Sequence, residues 1–217
     1  GVYLLARPEA DDADGHPVDE VGHRAAAQPL PAVCKVLREA GHEADITWQG
    51  GHVRLSDLAG SALTYPEVGA TAGAMPAGYR QLTATKRIGS GRARFERAAE
   101  SVMRYGMLRG AGVRVAATSE VAGEGVDVLG RLGPFPAPCR VVYVIDQPNH
   151  RGFAYGSLPG HAVRGEELFA VRYDPADDGV YAEVAAFSVP AVWWSRLGAP
   201  VLRLAQQAVT RRYLNAV

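Results

Sequence analysis

Tyr155, His161, Glu166 and Glu167 fall within one short stretch, FAYGSLPGHAVRGEELF, from Phe153 to Phe169. A phenol, an imidazole and two adjacent carboxylates are the groups that proton transfer and carbonyl polarisation use. His161 follows Pro159-Gly160 in a turn. It either moves protons near neutrality or fixes the turn through a backbone hydrogen bond. Tyr155 precedes a glycine on a strand, with Tyr143 on the neighbouring strand. Glu166 and Glu167 point to opposite faces of an extended chain, so one of them faces inward. An inward carboxylate in an apolar cavity has a raised pKa and serves as acid or base. The other reading is a hydrogen-bonded strand cap or an ion pair with Arg164 or Arg172.

Further candidates are more scattered. Glu183 shares a strand face with Tyr181 and Phe187, and is a second buried acid if that face is concave. Trp193 and Trp194 open the terminal helix as cavity walls or as plain packing. Arg97 and Arg104 on the first helix either meet a ligand carboxylate or stay solvated. Gly89-Ser90-Gly91 lacks the lysine and the spacing of a phosphate-binding loop. Cys34 and Cys139 match no metal or redox spacing and read as free thiols. No His-Glu-x-x-His, paired Cys-x-x-Cys or Gly-x-Ser-x-Gly occurs, so neither a metal nor a cofactor is expected.

The elements that must position these groups follow from periodicity. Val2–Ala6 is a short apolar run that could be a strand, and 8–21 is an acidic loop. Residues 30–40 carry a helical pattern ended by Gly41, and 46–48 and 53–55 flank a hairpin turn at Gln49-Gly50-Gly51. Residues 63–78 are rich in Gly, Pro and Ala, either a linker or an ordered strap. Tyr79–Ile88 alternates as a strand, Ser90 suits a helix cap, and a helix runs from there to about Met107. From Val113 the period falls to two: 113–118, 126–132, 139–146, 152–156, 167–173 and 180–187 are short, rich in Val, Tyr and Phe, and joined by tight turns. Such connections make antiparallel neighbours. Residues 190–217 are helical. This gives an α+β, helix-grip fold: a curved antiparallel sheet of about seven strands wrapped on a long C-terminal helix. An N-terminal α/β extension over 1–62 precedes the main domain at 63–217.

Lys plus Arg and Asp plus Glu balance at 23 each, which argues against a nucleic-acid partner. No apolar run approaches the roughly 20 residues of a membrane span, and no signal peptide is visible, so a cytoplasmic chain, monomeric or homodimeric, is expected.

The segments LTYPEVGAT (63–71), GYRQLTATKRIGSGRARFERAAESVM (78–103), RGAGVRV (109–115), APCRVVYVID (137–146), FAYGSLPGHAVRGEELF (153–169) and AFSVPAVWWSRLGAPVLRLAQQAVTRRYL (186–214) resemble the DUF1990 (UPF0548) family, in the same order. That family has no settled general activity. The resemblance implies a soluble domain with recurring Tyr-Gly-x-Leu-Pro-Gly-His and Gly-Glu-Glu motifs, here at Tyr155–His161 and Gly165–Glu167. The chain departs from the pattern at Tyr105, where tryptophan is frequent, and at Leu108, where histidine is. A rebuilt pocket or ordinary drift accounts for that, and Tyr105 joins the candidate binding residues. By topology the domain is similar to the START/Bet v 1 superfamily of lipid carriers, plant ligand binders and aromatic polyketide cyclases. The expected function is binding of a hydrophobic small molecule between sheet and terminal helix, by a cofactor-free cyclase or related lyase/isomerase with Tyr155, His161 and Glu166 or Glu167 as acid/base groups. Tyr143, Glu183, Phe187, Trp193, Trp194, Arg97 and Tyr105 are the expected substrate-binding residues of that space. The alternatives are a non-catalytic lipophile carrier with the same cavity, or a filled core.

Overall fold

Short runs rich in Val, Tyr and Phe build six consecutive strands from residue 114 onward, and the larger core cluster lies on one face of the sheet they form. The computed structural model of the chain describes residues 2–6, 47–48, 51–133, 135–191 and 209–217. Its elements are β1 (Val2–Ala6), β2 (Thr47–Trp48), β3 (Gly51–His52), β4 (Arg80–Ser90), α1 (Arg92–Met103), α2 (Gly106–Gly110) and β5 (Arg114–Ala117). There follow β6 (Asp127–Leu132), β7 (Phe135–Gln147), β8 (His150–Ser157), β9 (Val163–Asp174), β10 (Gly179–Pro190) and a helix over 209–215, α3.

The main sheet runs β1-β4-β10-β9-β8-β7-β6-β5, with every neighbouring pair antiparallel. Seven of its strands match the predicted order, and Val2–Ala6 adds an eighth at the edge by pairing with β4. The helix expected over 30–40 lies outside the described residues, as do 192–208 of the long helix expected over 190–217; Pro190 instead ends β10, and the C-terminal helix among the described residues is the short α3.

The face bearing α1 and α3 is the inner one. Phe95, Ala98, Ala99 and Val102 of α1 pack there with Phe153, Phe169, Val171 and Val184 from the strands. Tyr213 of α3 meets the Phe169 ring edge-on at 5.0 Å. Burial of these side chains, each contributing on the order of 2 kcal/mol, holds helices to sheet.

Two local expectations are corrected. The helix cap is Gly91, not Ser90: Gly91 sits at φ +86°, and its carbonyl accepts the amides of Arg94 and Phe95. Ser90 is the last residue of β4. The first helix also breaks at Tyr105, which adopts φ +60° and starts the separate turn α2.

Residues 64–72 form an ordered strap, not a linker. Thr64 donates its amide to Ser157 O at 3.0 Å, and Tyr65 lies across Gly156. A Cβ at Gly156 would come 2.2 Å from Tyr65 Oη, and its backbone is one that alanine accepts. Gly156→Ala is therefore a purely steric test of the strap. A loss of about 2 kcal/mol in urea unfolding is expected, and an unchanged midpoint would mean that Tyr65 does not hold this position.

Candidate active site

Glu166 and Glu167 are consecutive on β9, and the sheet separates them. Phe169, Val171 and Tyr173 share the inner face with Glu167, while Leu168 and Ala170 pack on the outer face with Ala154, on the side Glu166 faces. Both acids are withdrawn from bulk solvent, but they are treated in opposite ways.

Glu166, 3% exposed, is saturated with donors from the strap. Its Oε2 accepts Tyr65 Oη at 2.7 Å and the Gly69 amide at 2.7 Å, and its Oε1 accepts the Thr71 amide at 3.0 Å and the Thr71 hydroxyl. Thr71 in turn shares a 2.8 Å hydrogen bond with Tyr143. Burial and the Glu166 carboxylate push the Tyr65 phenol far up, so it remains a donor. Gly165, at φ +146°, brings this strand so close to β10 that a Cβ would lie 1.9 Å from Phe187 O. Glu166 is thus a latch for the strap, and Tyr143 belongs with it on the outer face.

Glu167 lies across from Tyr155 in the β8–β9 register, and Tyr155 Oη donates to its Oε2 at 3.2 Å. Burial pushes the Glu167 carboxyl up to about 7, and the Tyr155 hydrogen bond opposes that rise. Burial, then the charge of Glu167, hold the Tyr155 phenol well above its ordinary range. Tyr213 from α3 and Cys139 from β7 complete the cluster; each is pushed well up by burial first and by Glu167 second.

These groups face a cavity of about 230 Å³ between the inner sheet face, α2 and α3. Its wall is mostly apolar, with Leu82, Leu108, Val113, Val128 and Ala186 contributing. The volume falls a little below the usual range of ligand pockets, about 300–1,000 Å³, yet an apolar cavity of about 150 Å³ already takes benzene. There is room for one ring and a short substituent.

His161 also lines the cavity, but its ring has a structural task. Nδ1 accepts the Val163 amide at 3.1 Å, and burial pushes the imidazole down to about 4. It is neutral at pH 7 and fixes the turn into β9.

The other sequence candidates divide by place. Phe187, expected to line the cavity, lies directly across from Glu166 in the β9–β10 register, so its ring is on the outer face, edge-on to Tyr65 at 5.6 Å and Tyr79 at 5.1 Å, and only its strand passes along the cavity. Glu183 is on the outer face, paired with Arg172 Nε at 2.9 Å and His150 Nε2 at 3.2 Å, so it is not a cavity acid. Burial opposes its ionisation, but hydrogen bonds from His150 and Arg172 outweigh that and lower its pKa. Arg97 is exposed on α1, whereas Tyr105 is fully buried, donates to Ser119 O at 3.3 Å and packs edge-on to Phe153. Trp193 and Trp194 lie outside the described residues.

Tyr65, Thr71 and Tyr213 were not singled out from sequence, and Cys139 was read there only as a free thiol. Tyr65 and Thr71 sit in the LTYPEVGAT segment, whose pattern carries no periodic signal. Cys139 alternates with Val141 on β7, and Tyr213 follows Val209 by one helical turn; both spacings mark an inward face.

Among the described residues, no group of three or more His, Cys, Asp or Glu side chains comes together as a metal cage. No helix among them is long and apolar enough to cross a membrane.

Among solved structures, the chain is similar to the hypothetical protein jhp0584 from Helicobacter pylori, with a TM-score of 0.50 and 9% identity over 71% of this chain and 95% of that one. That likeness concerns the fold alone. The structure of Ara h 8.0201 aligns at a TM-score of 0.40 and 10% identity over 63% of this chain and 96% of that one, a likeness too slight to argue from. Sequence relatives are more direct. A UPF0548 protein of Deinococcus radiodurans is 43% identical over 74 residues, which is 34% of this chain and 37% of that protein. The UPF0548 protein At2g17695 of Arabidopsis thaliana is 37% identical over 86 residues, 37% of this chain and 42% of that protein. The aligned stretches thus span less than half the length of these relatives. The family profile described as "Domain of unknown function (DUF1990)" matches residues 64–216, from the start of the strap through the last turn of α3, and the chain belongs to that family.

Proposed function

We propose that the chain binds a small, mostly apolar molecule in the inner cavity and moves a proton on it through Glu167, with Tyr155 as its partner. The observation that carries this reading is the convergence of the polar groups. A mostly apolar wall surrounds the Glu167 carboxyl, whose pKa is near 7 and which is hydrogen-bonded to Tyr155. A carboxyl with that pKa is present in both protonation states at physiological pH, which suits general acid or base catalysis. The chemistry served is of the lyase, isomerase or cyclase type. The cavity's size favours a one-ring compound over a fused polycycle. His161 is left out of the proton path because its ring is neutral and committed to its turn. In this reading residues 63–217 are the binding unit and 1–62 an extension.

A carrier function is the second reading, favoured by the apolar lining of most of the wall. Both require occupancy. Ala186 lines the cavity and lies directly across from Glu167 on β10, so Ala186→Phe should fill the space beside the carboxyl. Ligand-observed NMR with p-xylene should show binding to the native chain and loss of about 10-fold or more in the variant. Equal binding to both would place the probe elsewhere and overturn the cavity as the site. Once a substrate is found, Glu167→Gln should lower turnover by about 100-fold or more under proton-transfer catalysis; a carrier would show no turnover to lose.

A further inference from the structure

We infer that the cavity takes a small organic amine: an apolar body about the size of one aromatic ring, with a single basic nitrogen set against the Glu167 carboxyl. This rests on the binding reading above and narrows it.

The first ground is which hydrogen-bonding groups remain open. Tyr155 directs its proton to Glu167 Oε2, the arrangement that supports an acceptor. The Ser157 hydroxyl takes the Gly165 amide at 2.9 Å and shares a 2.6 Å bond with Thr64. His161 Nδ1 is occupied by Val163. Among the described residues the carboxyl itself has one hydrogen bond, at Oε2, in contrast to the four donors gathered around Glu166. In its ionised form Glu167 is an acceptor only, so a ligand meeting that form must bring the donor. A carbonyl compound or an ether brings none and is left to the protonated form.

The second ground is charge. Burial and one phenol act on Glu167, and neither is a cation. The titratable groups around it are Tyr155 on β8, Cys139 on β7 and Tyr213 on α3, all held neutral by burial. Arg80 lines the same cavity from β4 and is itself engaged by a partner. Among the described residues, no cation is shown paired with the Glu167 carboxylate, the counter-charge that buried ions ordinarily have. A ligand ammonium supplies it, donating N–H to Oε1. If a neutral amine meets the protonated acid, the carboxyl proton passes to nitrogen and the same ion pair results. An anionic ligand would face the opposite balance.

Calorimetric titration of the native chain and of Glu167→Gln with benzylamine, benzyl alcohol and benzoate tests this. At pH 8 benzylamine should bind about 10-fold or more tighter than benzyl alcohol, the margin of a charge-assisted hydrogen bond. That preference should contract in the native chain as pH falls to 5.5, because Glu167 takes up a proton while benzylamine stays cationic. In Glu167→Gln the preference should vanish, with benzyl alcohol affinity changed less than about 3-fold. Benzyl alcohol or benzoate binding as tightly as benzylamine to the native chain overturns the amine assignment and leaves the small-molecule reading standing. Failure of all three probes to bind overturns both.

Discussion

Glu166→Ala is expected to cost about 4 kcal/mol of folding stability, the scale of leaving several buried neutral donors without their acceptor. For a chain of this length that is about 10 °C in melting temperature. The reason lies in what is left behind. Tyr65 Oη, the Gly69 amide, and the Thr71 amide and hydroxyl all end on this carboxylate, so alanine strands four donors in a site closed to water. Glu166→Gln should cost less, about 2 kcal/mol, because its oxygen still accepts while its amide group meets donors. Hydrogen exchange at Gly69 and Thr71 should accelerate in both variants well before the sheet amides do, since the strap is what the carboxylate holds. A melting temperature within about 2 °C of the native chain for Glu166→Ala would refute the latch.

The opposition of the two glutamates was legible in the sequence, because a strand's period of two forces neighbours to opposite faces. Which one faces the cavity was not. That depends on where the helices and the strap pack, and the strap's contacts with Glu166 span about a hundred positions of chain. Tyr143 shows a second limit. Strict alternation would set it inward with Cys139 and Val141, but a bulge between Val141 and Tyr143 pairs it with Ala154 and turns it outward. Nothing in VVYVID announces that extra residue. Glu183 had both faces open to it on paper, and pairing with Arg172 and His150 on the outer face gives the reason for its position. The strand order and the tight β9–β10 turn were readable because short connections and turn residues act locally: Asp174 accepts the Ala176 amide and Asp177 the Gly179 amide.

The second large effect expected is the appearance of pH–stability slopes of opposite sign when Glu167 and when His161 is replaced. The Glu167 carboxyl has a folded value of about 7 against an ordinary 4.5. Between those values the folded chain keeps a proton that the unfolded chain has lost, so its contribution to stability falls as pH rises from 4.5 to 7. His161 has a folded value of about 4 against 6.5. There the unfolded chain binds the extra proton, and its contribution rises as pH climbs from 4 to 6.5. Each displacement is equivalent to about 3 kcal/mol, so over the shared window the two slopes nearly cancel. Glu167→Gln removes the falling branch: stability should rise by about 3 kcal/mol between pH 4 and 6.5, and the variant should exceed the native chain at pH 8 by about 2 kcal/mol. His161→Asn keeps an acceptor for the Val163 amide and should unmask the opposite slope. Urea unfolding at pH 4, 5.5, 7 and 8 reads both, and variant profiles parallel to the native one would refute the buried acid and the buried imidazole together. A carboxyl that lowers stability at neutral pH is not there to hold the fold, which separates it from its neighbour Glu166. If Glu167→Gln is both more stable at pH 8 and unable to prefer an amine, the cost to the fold and the recognition of the ligand have the same origin: a negative charge kept in a mostly apolar cavity beside the neutral Tyr155, Cys139 and Tyr213.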